Sequence, residues 1–177
     1  MSDASSTRFP IMLVACVLCA TVAPSCSDPV KNDAIDALGP EDPAVGRGPL
    51  HRPNQPCLTC HGGSGPGGST FSVAGTIYQS RTETKPLVSA LVTLTDANKR
   101  QFTTATNQVG TFYVTQQTFD PTYPLQVSVA YGGITTKMKT SIGRDGSCAD
   151  CHHDPTSPSQ AGHIWLVDDS TKFPGAR

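Results

Sequence analysis

"ALVTLTDANKRQFTTATNQVGTFYV", Ala90 to Val114, is the segment from which the architecture is read. Ala90, Val92 and Leu94 alternate with Leu91, Thr93 and Thr95. A period of two puts the first three on one face of a strand and the rest on the other. Asp96–Asn98 then supplies turn chemistry, and "QFTTATN" resumes an extended pattern. Asn107–Gly110 turns the chain again into "TFYVTQ". β-Branched and aromatic residues recur in these runs, as a pleated, half-buried surface requires.

The pattern continues on both sides. Upstream, "FSVAGTIYQ" places Phe71, Val73, Gly75 and Ile77 on one face. Downstream, "LQVSVAY" alternates through Leu125, Val127, Val129 and Tyr131. Gly132-Gly133 suits the positive φ of a tight hairpin. In "ITTKMKTS", Lys137 and Lys139 are expected to face water and Met138 the interior. Six short strands at a spacing of about ten residues point to a sandwich, and "GHIWLVDD" (Gly162–Asp169) adds a seventh. The expectation is an all-β, antiparallel β-sandwich of about seven strands. It occupies residues 69–142, with the closing strand inside 143–177.

Four stretches, "AGTIY", "PLVSALVTLTDANKR", "TTATNQVGTFYV" and "YPLQVSVAYGG", resemble the carboxypeptidase regulatory-like, or transthyretin-like, β-sandwich family. The resemblance runs from about Phe71 to Gly133. It implies a scaffold or contact surface without catalysis.

Composition narrows the function classes. Thirteen basic against 14 acidic residues give no footprint for nucleic acid and no polybasic membrane patch. "GGSGP" at Gly62–Pro66 nearly spells a nucleophile elbow, but it ends in Pro and follows no strand. "PEDP" and "VDD" read as solvated turns, and no phosphate-binding loop or dinucleotide fingerprint occurs. No enzyme is expected.

The start, "RFPIMLVACVLCATVAPSC", is an apolar run behind Arg8 and reads as an export signal. Its rival, a buried element of the fold, is disfavoured by the Pro- and Asp-rich segment that follows. "APSCSDP" resembles the cleavage region of a bacterial lipoprotein, which implies lipidation at Cys26 and a signal segment over 1–26. Pro24 departs from that pattern; "LVAC" at Leu13–Cys16 fits it better but leaves a very short apolar region. Membrane attachment is then through the lipid alone, at the periplasm or cell surface of a bacterium; plain secretion is the alternative. Residues 27–50 read as a flexible linker with a turn or two of helix in "NDAIDAL".

Of seven cysteines, Cys16, Cys19 and Cys26 belong to the signal region. The other four lie in "CLTCH" (Cys57–His61) and "CADCH" (Cys148–His152). Three chemistries use such pairs. Two thiols three positions apart add across the vinyl groups of haem, and the next histidine lies under the iron. Paired knuckles bind zinc, but those of compact zinc ribbons lie ~15–20 residues apart, whereas a whole β region separates these. Redox dithiols come with a βαβ pattern that is missing here, and a disulfide within CxxC is seldom a staple.

The pair of motifs resembles a dihaem c-type cytochrome. The resemblance implies two covalently attached haem c groups, in segments 51–68 and 143–177. Cys57 and Cys60 carry the first, with His61 proximal; Cys148 and Cys151 carry the second, with His152 proximal. It implies electron transfer at the cell envelope or outside the cell, with redox proteins or further copies of the chain as partners. The small single-haem relatives use three helices and a distal Met. Here the surroundings are β, and Met138 is read as core packing.

His51, His153 and His163 remain as candidate distal iron ligands, each weighed against a solvated surface histidine. His153 directly follows His152 and so is expected to reach the other haem. Trp165 packs on a haem edge or fills the core. If successive strands alternate direction, both motifs meet at one end of the sandwich. "GGSGPGGS" at 62–69 reads as a flexible spacer. Two rival functions are a haem peroxidase or gas sensor with an open iron, and a non-haem metal-binding or adhesion module.

Overall fold

The computed structural model describes residues 28–153 and 161–175. Cys26 and the export segment lie outside the described residues. Helix α1 spans Pro29–Asp36; the Asp28 carboxylate accepts from the Val30 and Lys31 N–H groups, and Pro29 suits the first turn. A single helical turn, α2, covers Cys57–His61. The rest is mostly strand: β1 (Phe71–Ser80), β2 (Glu83–Pro86), β3 (Leu91–Thr95), β4 (Gln101–Ala105), β5 (Thr111–Thr115), β6 (Gln126–Tyr131), β7 (Ile134–Lys137) and β8 (Ile164–Val167).

These form two four-stranded sheets. One has the order β2-β1-β5 with β8 also on β1; the other has the order β4-β3-β6-β7. All pairings are antiparallel except β1 with β8, which is parallel. Two points differ from the sequence reading. First, β2, "ETKP", has no apolar alternation, so periodicity gives no sign of it. It is held by pairing with β1, Tyr78 opposite Pro86 and Ser80 opposite Glu83. Second, the sheet containing β1 is mixed. The chain meets β1 in the same direction twice, at a parallel bridge between Ala74 and Ser147 just before the second CxxCH motif and again at β8 after it.

Both sheets turn apolar residues into one cluster. Val73, Ile77, Phe112 and Val114 come from the first sheet, and Val92, Leu94 and Val129 from the second. Leu87, Leu125 and Leu166 complete its centre. Burying one such side chain contributes roughly 1.5–3 kcal/mol. The tight turn at Gly132-Gly133 has φ of 56° and 83°, as a type I′ hairpin needs. Met138 was expected in the core; it is only half-buried, one residue beyond β7, between exposed Lys137 and Lys139. Its N–H donates to the Val127 carbonyl, so the backbone stays paired after the strand ends.

β1 departs from simple alternation, because nearly every residue in it is buried. Pairing with β5 runs Val73–Val114, Ala74–Tyr113 and Gly75–Phe112, but shifts register between Phe71 and Val73, where Phe71 lies opposite Thr115. This is a bulge at Ser72. Opposed residues share a face, so Val73, Gly75, Phe112 and Val114 point to the core. Phe71, Ala74, Tyr113 and Thr115 point the other way. Phe71 therefore leaves the face on which alternation alone would put it. The Ser72 hydroxyl donates toward the Phe119 carbonyl at 2.6 Å and lies 3.2 Å from that of Val114, which ties the bulge down.

The segment before α2 is also tied to the sheets. Arg52 donates to the Leu38 and Gly39 carbonyls, and Asn107 donates through its amide to the Pro49 carbonyl at 2.6 Å. The Asn54 N–H donates to the Thr76 hydroxyl at 2.8 Å. Among the described residues, no helix is long and apolar enough to cross a membrane.

Candidate functional site

In a helical turn, residues i and i+3 share a side and i+4 is their neighbour. α2 places Cys57, Cys60 and His61 in that relation; Pro56 precedes the turn and Gly62 follows it. The second motif repeats the turn. Cys148–Asp150 is a 3₁₀ segment, and the His152 N–H donates to the Cys148 carbonyl at 2.8 Å. Both motifs pack against β1: α2 lies on it, and the 3₁₀ turn docks along its edge through the Ala74–Ser147 bridge.

The histidines are held in a definite way. His61 Nδ1 lies 2.9 Å from the Ser69 carbonyl, and His152 Nδ1 lies 3.0 Å from the Gly162 carbonyl. A carbonyl only accepts, so Nδ1 carries the proton and Nε2 keeps its lone pair. His51 has the same arrangement, with Nδ1 on the Gly48 carbonyl. A metal-binding imidazole usually donates its other ring N–H to a carbonyl, a carboxylate or a water molecule. His163 is in the opposite state: it is buried, its Nε2 lies 3.2 Å from the Ser80 carbonyl, and its ring meets Tyr78 edge-on. It also follows Gly162, which is on the Nδ1 side of His152. His153 is half-buried and lies near Asp150.

A cavity of about 530 Å³ opens at the first motif. That is within the range of cofactor sites, ~300–1,000 Å³. His51, Cys57, Cys60, His61, Phe71 and Tyr113 contribute to its wall. The His51 and His61 ring centroids are 5.9 Å apart with planes at 45°. Both imidazoles therefore stand on the wall of the same cavity, within one side chain's reach of each other. The first motif thus gathers the donor types that a haem would use: two thiols on one turn, one histidine beside them and a second on the same cavity wall.

The second motif has the same donor types in a tighter setting. Cys148 belongs to the apolar core, its Sγ donating toward the Gly146 carbonyl at 3.7 Å, whereas Cys151 is exposed. Gly75 makes room for it. A Cβ at Gly75 would stand 2.8 Å from Cys148 Cβ and 3.2 Å from the Phe112 ring.

The thiols report how near the motifs are to each other. Burial pushes the Cys57 thiol up to about 11, with Cys60 and with Asp150 of the second motif adding to the rise. Burial pushes Cys148 up to about 12, with Cys57 and Asp150 adding. Among the described residues, no group of three or more His, Cys, Asp or Glu side chains is placed to hold a metal ion by itself.

Several residues that shape the site were missed in the sequence. The segment 62–69, expected to be a flexible spacer, wraps the motif closely. The Gly67 N–H donates to the Cys60 carbonyl at 2.9 Å, and a Cβ at Gly67 would stand 2.5 Å from His61 Nδ1. Gly65 likewise leaves no room for a side chain against the Cys60 carbonyl. Phe71 stacks on His61 at 4.2 Å and 5°, and Tyr113 stacks on Phe71 at 4.8 Å. Only the clustering of glycines directly after the motif hinted at this close approach. Trp165 is held by a hydrogen bond from Nε1 to Asp168, with Arg81 over its ring.

Compared with known proteins, the chain matches no family model, no curated protein and no solved structure.

Proposed function

We propose that this chain is an exported dihaem c-type cytochrome that carries electrons at the cell envelope or outside the cell. One observation carries the reading. In each CxxCH motif the histidine has its Nδ1 on a backbone carbonyl, which leaves Nε2 as the nitrogen able to offer a lone pair to a metal, beside two cysteines on one turn. A disulfide or a dithiol makes no use of that arrangement, whereas a metal-binding imidazole does.

Cys57 and Cys60 would hold the first haem, with His61 and His51 as its axial ligands. Cys148 and Cys151 would hold the second, with His152. Haem bound there supplies a one-electron ferric–ferrous couple. The chain's own residues fix the imidazoles, bury the Cys148 thiol and keep the two sites on one strand. We read the two sheets around their shared core as the transthyretin-like sandwich, serving as the frame. Anchoring through a lipid on Cys26 and pairing with redox proteins, or with further copies of the chain, belong to the same proposal.

The test is an absorption spectrum with a haemochrome count, on protein produced with haem maturation available. Two haems per chain are expected, and a colourless protein refutes the reading.

The second motif favours an additional possibility, a haem with an exchangeable position opposite His152. His163 has Nε2 engaged by Ser80 and stands on the Nδ1 side of His152, so the ring is not presented across from His152 Nε2. Carbon monoxide binding to half of the reduced haem would support the gas-binding or peroxidase reading for that site. No binding would leave plain electron transfer.

A further inference from the structure

His61 is held on more than its Nδ1 atom. One face of its ring lies on Phe71, nearly parallel at 5° and 4.2 Å. Phe71 is backed in turn by Tyr113, which is 39% exposed. Phe71 reaches this position only because the bulge at Ser72 moves it from the core face of β1 to the face that carries Tyr113 and the cavity. Bulges commonly re-aim a side chain beside a functional site. Without the bulge, the ring would point with Val73 into the core, and His61 would keep only the Ser69 carbonyl and the close backbone of Gly67.

A hydrogen bond at Nδ1 fixes the tautomer but leaves the ring free to swing about the bond direction. A flat aromatic face removes that freedom, because offset stacking prefers parallel planes at short range. The angle of 45° between His51 and His61 is therefore set, on the His61 side, by a residue outside both motifs. For a bis-histidine iron, the relative orientation of the two imidazole planes fixes the ligand-field anisotropy and contributes to the potential.

We propose that Phe71 is a positioning residue for the first haem site: aimed by the bulge at Ser72, its ring locks the plane of the His61 imidazole. This rests on the dihaem reading above. Phe71 touches the ligand and not the iron, so its role is orientation.

The test compares parent, Phe71→Leu and Phe71→Tyr proteins as full chains with haem attached. A haemochrome count first establishes two haems in each; low-temperature paramagnetic resonance of the ferric state and a redox titration follow. The expected result is that F71L shifts the largest g value and the midpoint of one haem and leaves the other unchanged. F71Y, which keeps the ring, should match the parent. Two haems with both signals superimposable in F71L would overturn the proposal while leaving the dihaem reading intact. An equal shift in F71Y and F71L would overturn it too, since that would mean packing bulk matters and not the stack. A parent without haem removes both. If F71L does not fold, Tyr113→Leu removes the backing ring at a partly exposed position. A smaller shift of the same signal is then expected, and no shift counts against the proposal.

Discussion

In the chain folded without haem, the Cys148 thiol should be nearly inert. The perturbation is a short pulse of iodoacetamide at pH 8, on protein made without haem maturation, in buffer and in denaturant. Only thiolate reacts. In the unfolded chain Cys148 has its ordinary value of 9.0, and folding moves it to about 12. Three units lower the thiolate fraction at pH 8 by roughly a thousandfold, since each unit is one factor of ten. Burial against Gly75 and Phe112 obstructs the reagent further. Peptide mass spectrometry after quenching reads each cysteine separately. Cys148 should be labelled at least a hundredfold more slowly in the folded protein than in denaturant. Exposed Cys151, in the same peptide, serves as the internal control for reagent and digestion. If the folded-to-unfolded ratio for Cys148 is within tenfold, the residue does not occupy the core and the docking of the second motif on β1 is wrong.

Three further predictions concern the site and its frame. Gly67→Ala places a methyl group 2.5 Å from His61 Nδ1, so it should displace that ring and change the spectrum of one haem with both still attached. Leu94→Ala empties a fully buried position in the shared core and should cost about 2–5 kcal/mol, read as a lower urea midpoint with an unchanged slope. Asp96 is pushed up by burial, but hydrogen bonds from the Thr122 N–H and from Arg100 outweigh this and hold it below its ordinary 3.8. A depressed native value stabilises the fold above the unfolded one, and the stabilisation fades as pH falls through the native value. The melting temperatures of parent and Asp96→Asn should therefore differ at pH 6 and converge below pH 3.8. A constant gap would contradict this.

The strands were legible where alternation is strict. In and just before β3, Val92, Leu94 and Ala90 all turn inward, as their spacing indicates, and Gly132-Gly133 turns the chain where positive φ is needed. β2 was not legible, because a strand with three exposed polar residues and a proline is specified by its neighbour and not by its own pattern. Nor was the parallel arrival of β8, which depends on where the chain re-enters the sheet. In the site, the spacing of the two CxxCH motifs marks them out as the candidates, and both pack on one strand. The environment of each histidine was not readable. His51 and His163 looked equivalent in sequence, yet one faces His61 across the cavity and the other is buried on Ser80. Phe71 was assigned to the wrong face, because one extra residue at Ser72 reverses the parity of everything before it.

The parallel pairing of β8 with β1 also bears on how the protein withstands force. Ile77, Tyr78 and Ser80 pair with Ile164, Trp165 and Val167 in the same direction. Tension applied between the chain entering β1 and the chain leaving β8 pulls these strands lengthwise past each other. Their hydrogen bonds lie across that pull and share the load, instead of opening one after another as in a peeled hairpin. The second CxxCH motif lies in the loop between the Ala74–Ser147 bridge and this clamp, so such a pull reaches it only after the clamp has sheared. A chain held to a surface by its N-terminal side and drawn upon from its C-terminal side would keep its second site folded until this clamp gave way.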